Sequence, residues 1–117
     1  MQDFKNLRVW QRAHELALLT YRLTSDFPRD EMFGLRNSLR RTSVDVAAYI
    51  AEGCVKANDI EFDRSLSTSL AFANRLEYYA LLSRDLCFLE APVHADYESA
   101  ITEVKKRINK FRSRLED

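Results

Sequence analysis

The sequence predicts an all-α fold, an antiparallel up-down-up-down four-helix bundle formed by residues 1–117 as a single domain. Three observations carry this expectation. Only two Gly and two Pro interrupt 117 residues, and scarce breakers mean few, long elements. Apolar residues recur every three or four positions in four separate stretches, the pattern of helices with a buried stripe. The connections between stretches are too short for crossovers, so consecutive helices should run antiparallel. A chain of this length matches the common domain size of ~100–150 residues and can bury a modest core.

The first helix is expected from about Leu7 to Ser25. Val9, Trp10, Ala13, Leu16, Ala17, Thr20, Leu23 and Thr24 line its apolar side, Arg8, Arg12, Glu15 and Arg22 the other, and Asn6 or Asp3 is placed to cap it. Pro28 disfavours helical geometry at Phe27, which puts the first connection at Asp26 to Glu31.

The second helix, running to about Ala57 with Gly34 in its first turn, has the most informative pattern. Leu35, Leu39, Val46 and Ile50 form one stripe at ~100° per residue, while Val44, Ala48, Ala51 and Val55 fall opposite. Between them lie Arg41, Asp45, Glu52 and Lys56, spaced for i,i+4 pairs. A helix apolar on two sides should be enclosed by neighbours, some from other copies of the chain, so Val44, Ala48, Ala51 and Val55 are the candidate oligomer interface. Gly53 marks either the helix end or a close approach by another helix.

Asn58 followed by Glu61 resembles a capping box and opens the third helix. Phe62, Leu66, Leu70, Ala73, Leu76, Ala80 and Leu81 form its main face, and Ala71, Tyr78, Leu82 and Leu89 a second set. Glu77 projects amid the first set, where a carboxylate needs a partner or is driven neutral. A structural ion pair with an arginine of the second helix is expected there. Pro92 suits the first turn of the fourth helix, whose stripe is Val93, Tyr97, Ile101, Val104, Ile108, Phe111 and Leu115, with Glu98, Glu103, Lys106, Lys110 and Arg114 outward.

No run of ~20 apolar residues is present, so no membrane span is expected. The start, MQDFKNLRVWQRAHE, lacks the apolar block of a secretory signal, which places the protein in the cytoplasm. Cys54 and Cys87 form no C-x-x-C and read as reduced thiols in or near the core. A di-iron bundle needs Glu-x-x-His pairs, and neither His14 nor His94 follows a Glu by three. His14 reads as a hydrogen-bonded residue at the border of the first helix's apolar face, and His94, beside Pro92, as exposed. No Gly-rich phosphate loop or motif-placed nucleophile occurs. No catalytic, cofactor or metal residue is assigned, and no enzymatic activity is expected.

The net charge is zero but unevenly spread: nine basic and seven acidic side chains in residues 1–56, three and eight in 57–100, six and three in 101–117. Lys105, Lys106, Arg107, Lys110, Arg112 and Arg114 lie within ten residues of one another. Such a cluster is what a phosphate-binding surface requires, although a helix that buries one stripe must display charge elsewhere, and no aromatic stacking platform accompanies it.

Several blocks together carry a resemblance. FKNLRVWQRAHELALLTYRLTSDFPRDEMFGLRNSLRR, then IAEG at Ile50 to Gly53, then LEYYALLSRDLCFL from Leu76, resemble the 23S rRNA intervening-sequence protein family, bacterial four-helix-bundle proteins. The resemblance covers nearly the whole chain and implies a small cytosolic bundle that assembles as a homopentamer without established enzymatic activity. The chain departs from the family pattern at Asp45, Val46, Ala47, Ala48 and Tyr49, lacking the usual Pro and Asn. Ala71 and Phe72 stand for a usual Gly-Ser, and Arg75 for an acid. The function expected is thus a non-enzymatic, oligomeric helical scaffold or interaction protein, with RNA or an RNA-handling protein as candidate partner. The alternative is direct nucleic-acid binding through the basic surface of the oligomer.

Overall fold

The structure, a computed structural model, describes residues 2–31 and 33–116, the side chain at 116 excepted. Four helices, α1 (Arg8–Leu23), α2 (Leu35–Gly53), α3 (Asp59–Asp85) and α4 (Ala91–Glu116), follow one another, with 3-10 turns at Phe4–Asn6 and Arg29–Glu31. Among the described residues there is no strand. α1 packs on α2, α2 on α3, α3 on α4, and α4 returns to α1, closing a four-cornered bundle of 44 × 24 × 20 Å. Sequence neighbours are thus spatial neighbours, and α2 and α4 occupy opposite corners. The result is the expected four-helix bundle.

The helix ends follow local chemistry. Asp3 accepts the amide of Lys5 at 3.0 Å, so it caps the first 3-10 turn. α1 itself starts after Leu7 with no side-chain cap, contrary to the expected use of Asp3 or Asn6. The far end of α1 is held by Arg40 of α2, whose Nε donates to Thr24 Oγ1 at 2.8 Å and whose Nη2 donates to the Tyr21 carbonyl at 3.1 Å. A cation there answers both the free carbonyls and the negative end of the helix dipole.

α2 is shorter than expected at both ends. Gly34 is its N-cap rather than a first-turn residue, and Glu31 reaches back to accept the Leu35 amide at 2.8 Å. The helix stops at Gly53, where an added Cβ would lie 2.6 Å from the Phe62 ring. Gly53 is therefore both the helix end and a point of close approach by α3.

Asn58 caps α3 as expected, its side-chain oxygen accepting the Glu61 amide at 2.9 Å. The other end closes with the Cys87 amide on the Arg84 carbonyl at 2.9 Å and the Phe88 amide on the Ser83 carbonyl at 2.8 Å, Cys87 taking φ 65°. This left-handed closure turns Cys87 to the surface and corrects its expected place near the core; Cys54 is buried.

The core joins all four helices, with Leu39, Val46, Ile50, Leu66, Leu76, Ile101 and Ile108 fully enclosed. The α2–α3 seam also buries Ser43, Ser65 and Ser69. Small residues let the backbones approach, and Ser69 Oγ donates to the Val46 carbonyl across the seam at 2.6 Å. Between α1 and α4, the buried Thr20 and Tyr97 hydroxyls lie 2.6 Å apart. Thr20 also donates to the Leu16 carbonyl at 2.8 Å. Its one proton is thereby committed, and Tyr97 must be the donor of the pair.

Candidate assembly face and basic cleft

The buried stripe of α2 (Leu35, Leu39, Thr42, Ser43, Val46, Ala47, Ile50, Gly53) is covered by the chain's own helices. Of the opposite set, Val44 (42% exposed) and Ala48 are exposed on α2 and Ala51 is half-buried, whereas Val55, 62% exposed, lies in the turn beyond the end of α2, so the expected four-residue stripe is cut to three helical positions. The contact of Arg40 with Tyr21 and the bond from the Gln2 amide to the Cys54 carbonyl at 3.3 Å fix the antiparallel register of α1 beside α2. That register brings exposed Leu18 of α1 to the level of Val44. The i,i+4 spacing along the polar strip is not used: among the described residues no ion pair joins Arg41 to Asp45 or Glu52 to Lys56.

The six bases of α4 are divided by the side of the helix they occupy. Lys105 and Arg112 face α3. Lys105 Nζ sits 3.0 Å from Glu77 Oε1 and 2.9 Å from Asn74 Oδ1. Arg112 grips both carboxylate oxygens of Asp63 at 2.8 and 3.2 Å, and that hydrogen bonding holds the Asp63 carboxyl below its ordinary range. Arg107 pairs along its own helix with Glu103 at 3.0 Å. Lys106, Lys110 and Arg114 are exposed and have no ion pair among the described residues. The partner expected for Glu77 on the second helix is thus replaced by Lys105 of α4, and the Glu77 side chain is 37% exposed.

The structure adds Arg8 to this cluster. A cleft of about 250 Å³ between the start of α1 and the end of α4 is lined by Arg8, Arg107, Lys110 and Arg114, with Asn6 and Phe111 among its walls. Arg8 lies almost a hundred residues away in sequence, and only antiparallel closure of the first helix on the last brings it there.

Two expectations about histidine are corrected. His14 is exposed and stacks on Trp10, ring centroids 4.9 Å apart and planes within 8°. His94 is buried at 4% exposure, its Nε2 without a hydrogen bond and 3.9 Å from Glu98 Oε2. The spacing of His94 to Tyr97 and Ile101, three and seven residues, is the signal that it faces the core. Among the described residues no group of three or more His, Cys, Asp or Glu could hold a metal ion, and no helix is long and apolar enough to cross a membrane.

On the outer α2–α3 groove, Tyr49 and Phe72 stack at 5.3 Å with planes within 14°, and the Arg75 guanidinium lies 5.0 Å from the Phe72 ring, so residues of two helices form one layered contact.

No curated protein matches the chain. Among solved structures, a protein of unknown function from the S23 ribosomal protein family of Bacteroides thetaiotaomicron superposes with a TM-score of 0.79 at 19% identity, over 89% of this chain and 97% of that one. At that identity the likeness establishes the shared fold. The family model for the 23S rRNA-intervening sequence protein matches residues 5–110, nearly the whole bundle, and the chain belongs to that family.

Proposed function

We propose that the protein is a homo-oligomeric helical scaffold of the cytoplasm, without catalytic chemistry of its own. Its partner is RNA or a protein that handles RNA. One observation carries the reading: Val44 and Ala48 on the outer side of α2, and Val55 just past its end, are exposed, and Ala51 is only half-covered by its own chain. Burying apolar surface is worth roughly 25 cal/mol per Å², and extended apolar surface on a helix marks a contact with another protein. The number five comes from the sequence resemblance; a ring of five is built from heterologous contacts, in which the α2 face of one copy meets a different face of the next.

Light scattering of the full chain at micromolar concentration tests this. A mass that is a multiple of 13.7 kDa is expected, five-fold for the pentamer. Val44→Gln with Val55→Gln should lower it without loss of helical signal, because both side chains are exposed within their own fold. A monomeric wild-type protein refutes the proposal.

A second reading, direct nucleic-acid binding by the basic surface of α4, is favoured by Lys106, Lys110 and Arg114 sharing the side of the helix that lacks carboxylate partners.

A further inference from the structure

We infer that the cleft between α1 and α4 is a phosphate-backbone site for an RNA strand, with Arg8, Arg107, Lys110 and Arg114 as its ligands. The inference rests on the second reading above and gives it a location.

The charges in this cleft are poorly explained by folding alone. Lys105 and Arg112 of the same helix are each held by a carboxylate of α3. The cleft has four cations from two helices and no carboxylate among its described lining residues. Arg8 is the first residue of α1, whose first turn has no acid and whose N-cap makes no side-chain bond. A cation there opposes the positive end of the helix dipole, and three further cations face the same space. Bound phosphate reverses the sign of every one of these interactions. Among the described residues only Arg107 has a carboxylate, Glu103, and that pair is solvent-facing, with Glu103 54% exposed. Exposed pairs of this kind hold weakly, so the guanidinium can turn to a phosphate.

A strand is favoured over an isolated phosphate group by the extent of the track. Lys106 continues the cluster on the exposed side of α4, and eight residues from Lys106 to Arg114 span ~12 Å of helix. That is too long for one phosphate and suits successive phosphates of a polymer. Three of the four cations sit on α4, at the corner opposite α2, and covering Val44 and Ala48 of α2 involves no residue of the cleft; Arg8 is on α1, which adjoins α2.

Phosphate contacts carry little sequence preference and strong salt dependence, log K falling with log salt at about −0.7 per phosphate for a single strand. Four contacts predict that affinity for a fluorescein-labelled single-stranded RNA drops about 50-fold between ~50 and ~200 mM salt. Fluorescence anisotropy on the full chain reads this directly. Arg8→Ala, and Lys110→Ala with Arg114→Ala, should weaken binding several-fold and flatten the salt slope by about one unit per contact removed. Arg84→Ala, exposed at the end of α3 and so at the opposite end of the bundle from the cleft, should bind as wild type.

Absence of binding at low salt overturns the site, as does binding that the Arg8 and Lys110/Arg114 variants leave unchanged; in the latter case the protein binds RNA elsewhere. Equal competition by a singly phosphorylated peptide overturns the assignment to a polymer. Light scattering on the same variants separates this inference from the scaffold proposal. An oligomer that binds no RNA refutes the cleft alone, and a monomer that binds through Arg8 refutes the assembly alone.

Discussion

Gly53→Ala sets two local effects against each other, and the structure decides which wins. Gly53 has no positive φ, so alanine is conformationally allowed. Helix propensity alone would make the change stabilising by up to ~1 kcal/mol. The added Cβ, however, would stand 2.6 and 2.8 Å from two carbons of the Phe62 ring and 3.1 Å from Ser65 Cβ. Carbon atoms prefer about 3.5–4.0 Å, so the ring must retreat by roughly 1 Å. Phe62 is 7% exposed and packs on Phe111 of α4, ring centroids 5.5 Å apart. Its retreat therefore pushes on another helix. Overpacking of this kind costs about 1–3 kcal/mol, and with the full propensity gain set against it a net loss of about 0–2 kcal/mol remains. Urea unfolding followed by circular dichroism should show a lower midpoint at unchanged slope, and adding Phe62→Leu should recover part of the loss. A Gly53→Ala protein more stable than wild type would refute the reading of this contact.

Three further outcomes follow from single contacts. Cys87→Gly should raise stability by about 1 kcal/mol in a thermal melt, because glycine relieves the left-handed φ of 65° that costs an L side chain ~1–2 kcal/mol. Thr20→Val should cost more than Tyr97→Phe, although both delete the 2.6 Å bond. Valine strands the buried Tyr97 hydroxyl, at about 1–3 kcal/mol, whereas phenylalanine leaves Thr20 bonded to Leu16 and costs about 1 kcal/mol. Asp63→Asn should destabilise by about 1 kcal/mol or less at neutral pH, since the Arg112 pair is part-exposed. The Asp63 carboxyl is lowered by its hydrogen bonds from Arg112 and then by that cation's charge, over an opposing effect of burial. A depressed folded value contributes stability above the unfolded carboxylate pKa of ~3.9 that is lost as pH falls through the folded one. Urea unfolding should therefore show the gap between wild type and variant closing in acid.

The parts of the fold legible in sequence are those that use one local signal at a time. The stripe from Val93 to Leu115 needs only a 3.6-residue period, and its Tyr97, Ile101, Val104 and Ile108 are buried as read. Asn58 and Glu61 announce a helix start that needs no tertiary partner. The α2–α3 seam was illegible because its buried positions include serines, and a hydroxyl that returns its proton to a backbone carbonyl behaves as a small core residue. Ser83 on Tyr79 at 2.8 Å and Ser43 on Arg40 at 2.9 Å do this. His94 was legible from its spacing to Tyr97 but was misplaced by the proximity of Pro92. The partner of Glu77 and the membership of Arg8 in the basic cleft were not legible, because each depends on which helix closes the bundle. The basic cluster of α4 was visible as a run of charge, but its division by Glu77 and Asp63 into held and unheld cations required coordinates.

The apolar positions of α2 and the basic cleft between α1 and α4 share no residue, and this has a consequence that runs one way only. In the proposed assembly, copies joined through α2 present several clefts outward, and linked sites convert second and later contacts on one strand into intramolecular events, raising avidity by ~10²–10⁴ where geometry permits. Val44→Gln with Val55→Gln alters no cleft residue, yet it should weaken binding of an RNA long enough to reach several subunits while leaving a short strand's affinity unchanged. Arg8→Ala should weaken both lengths and leave the mass of the assembly unchanged. Neutral glutamine is the appropriate replacement, since an added carboxylate would repel RNA by itself. Measured by anisotropy with strands of two lengths, equal losses for both in the Val44/Val55 variant would show that the α2 face shapes the cleft directly, and the independence of the two surfaces would fall.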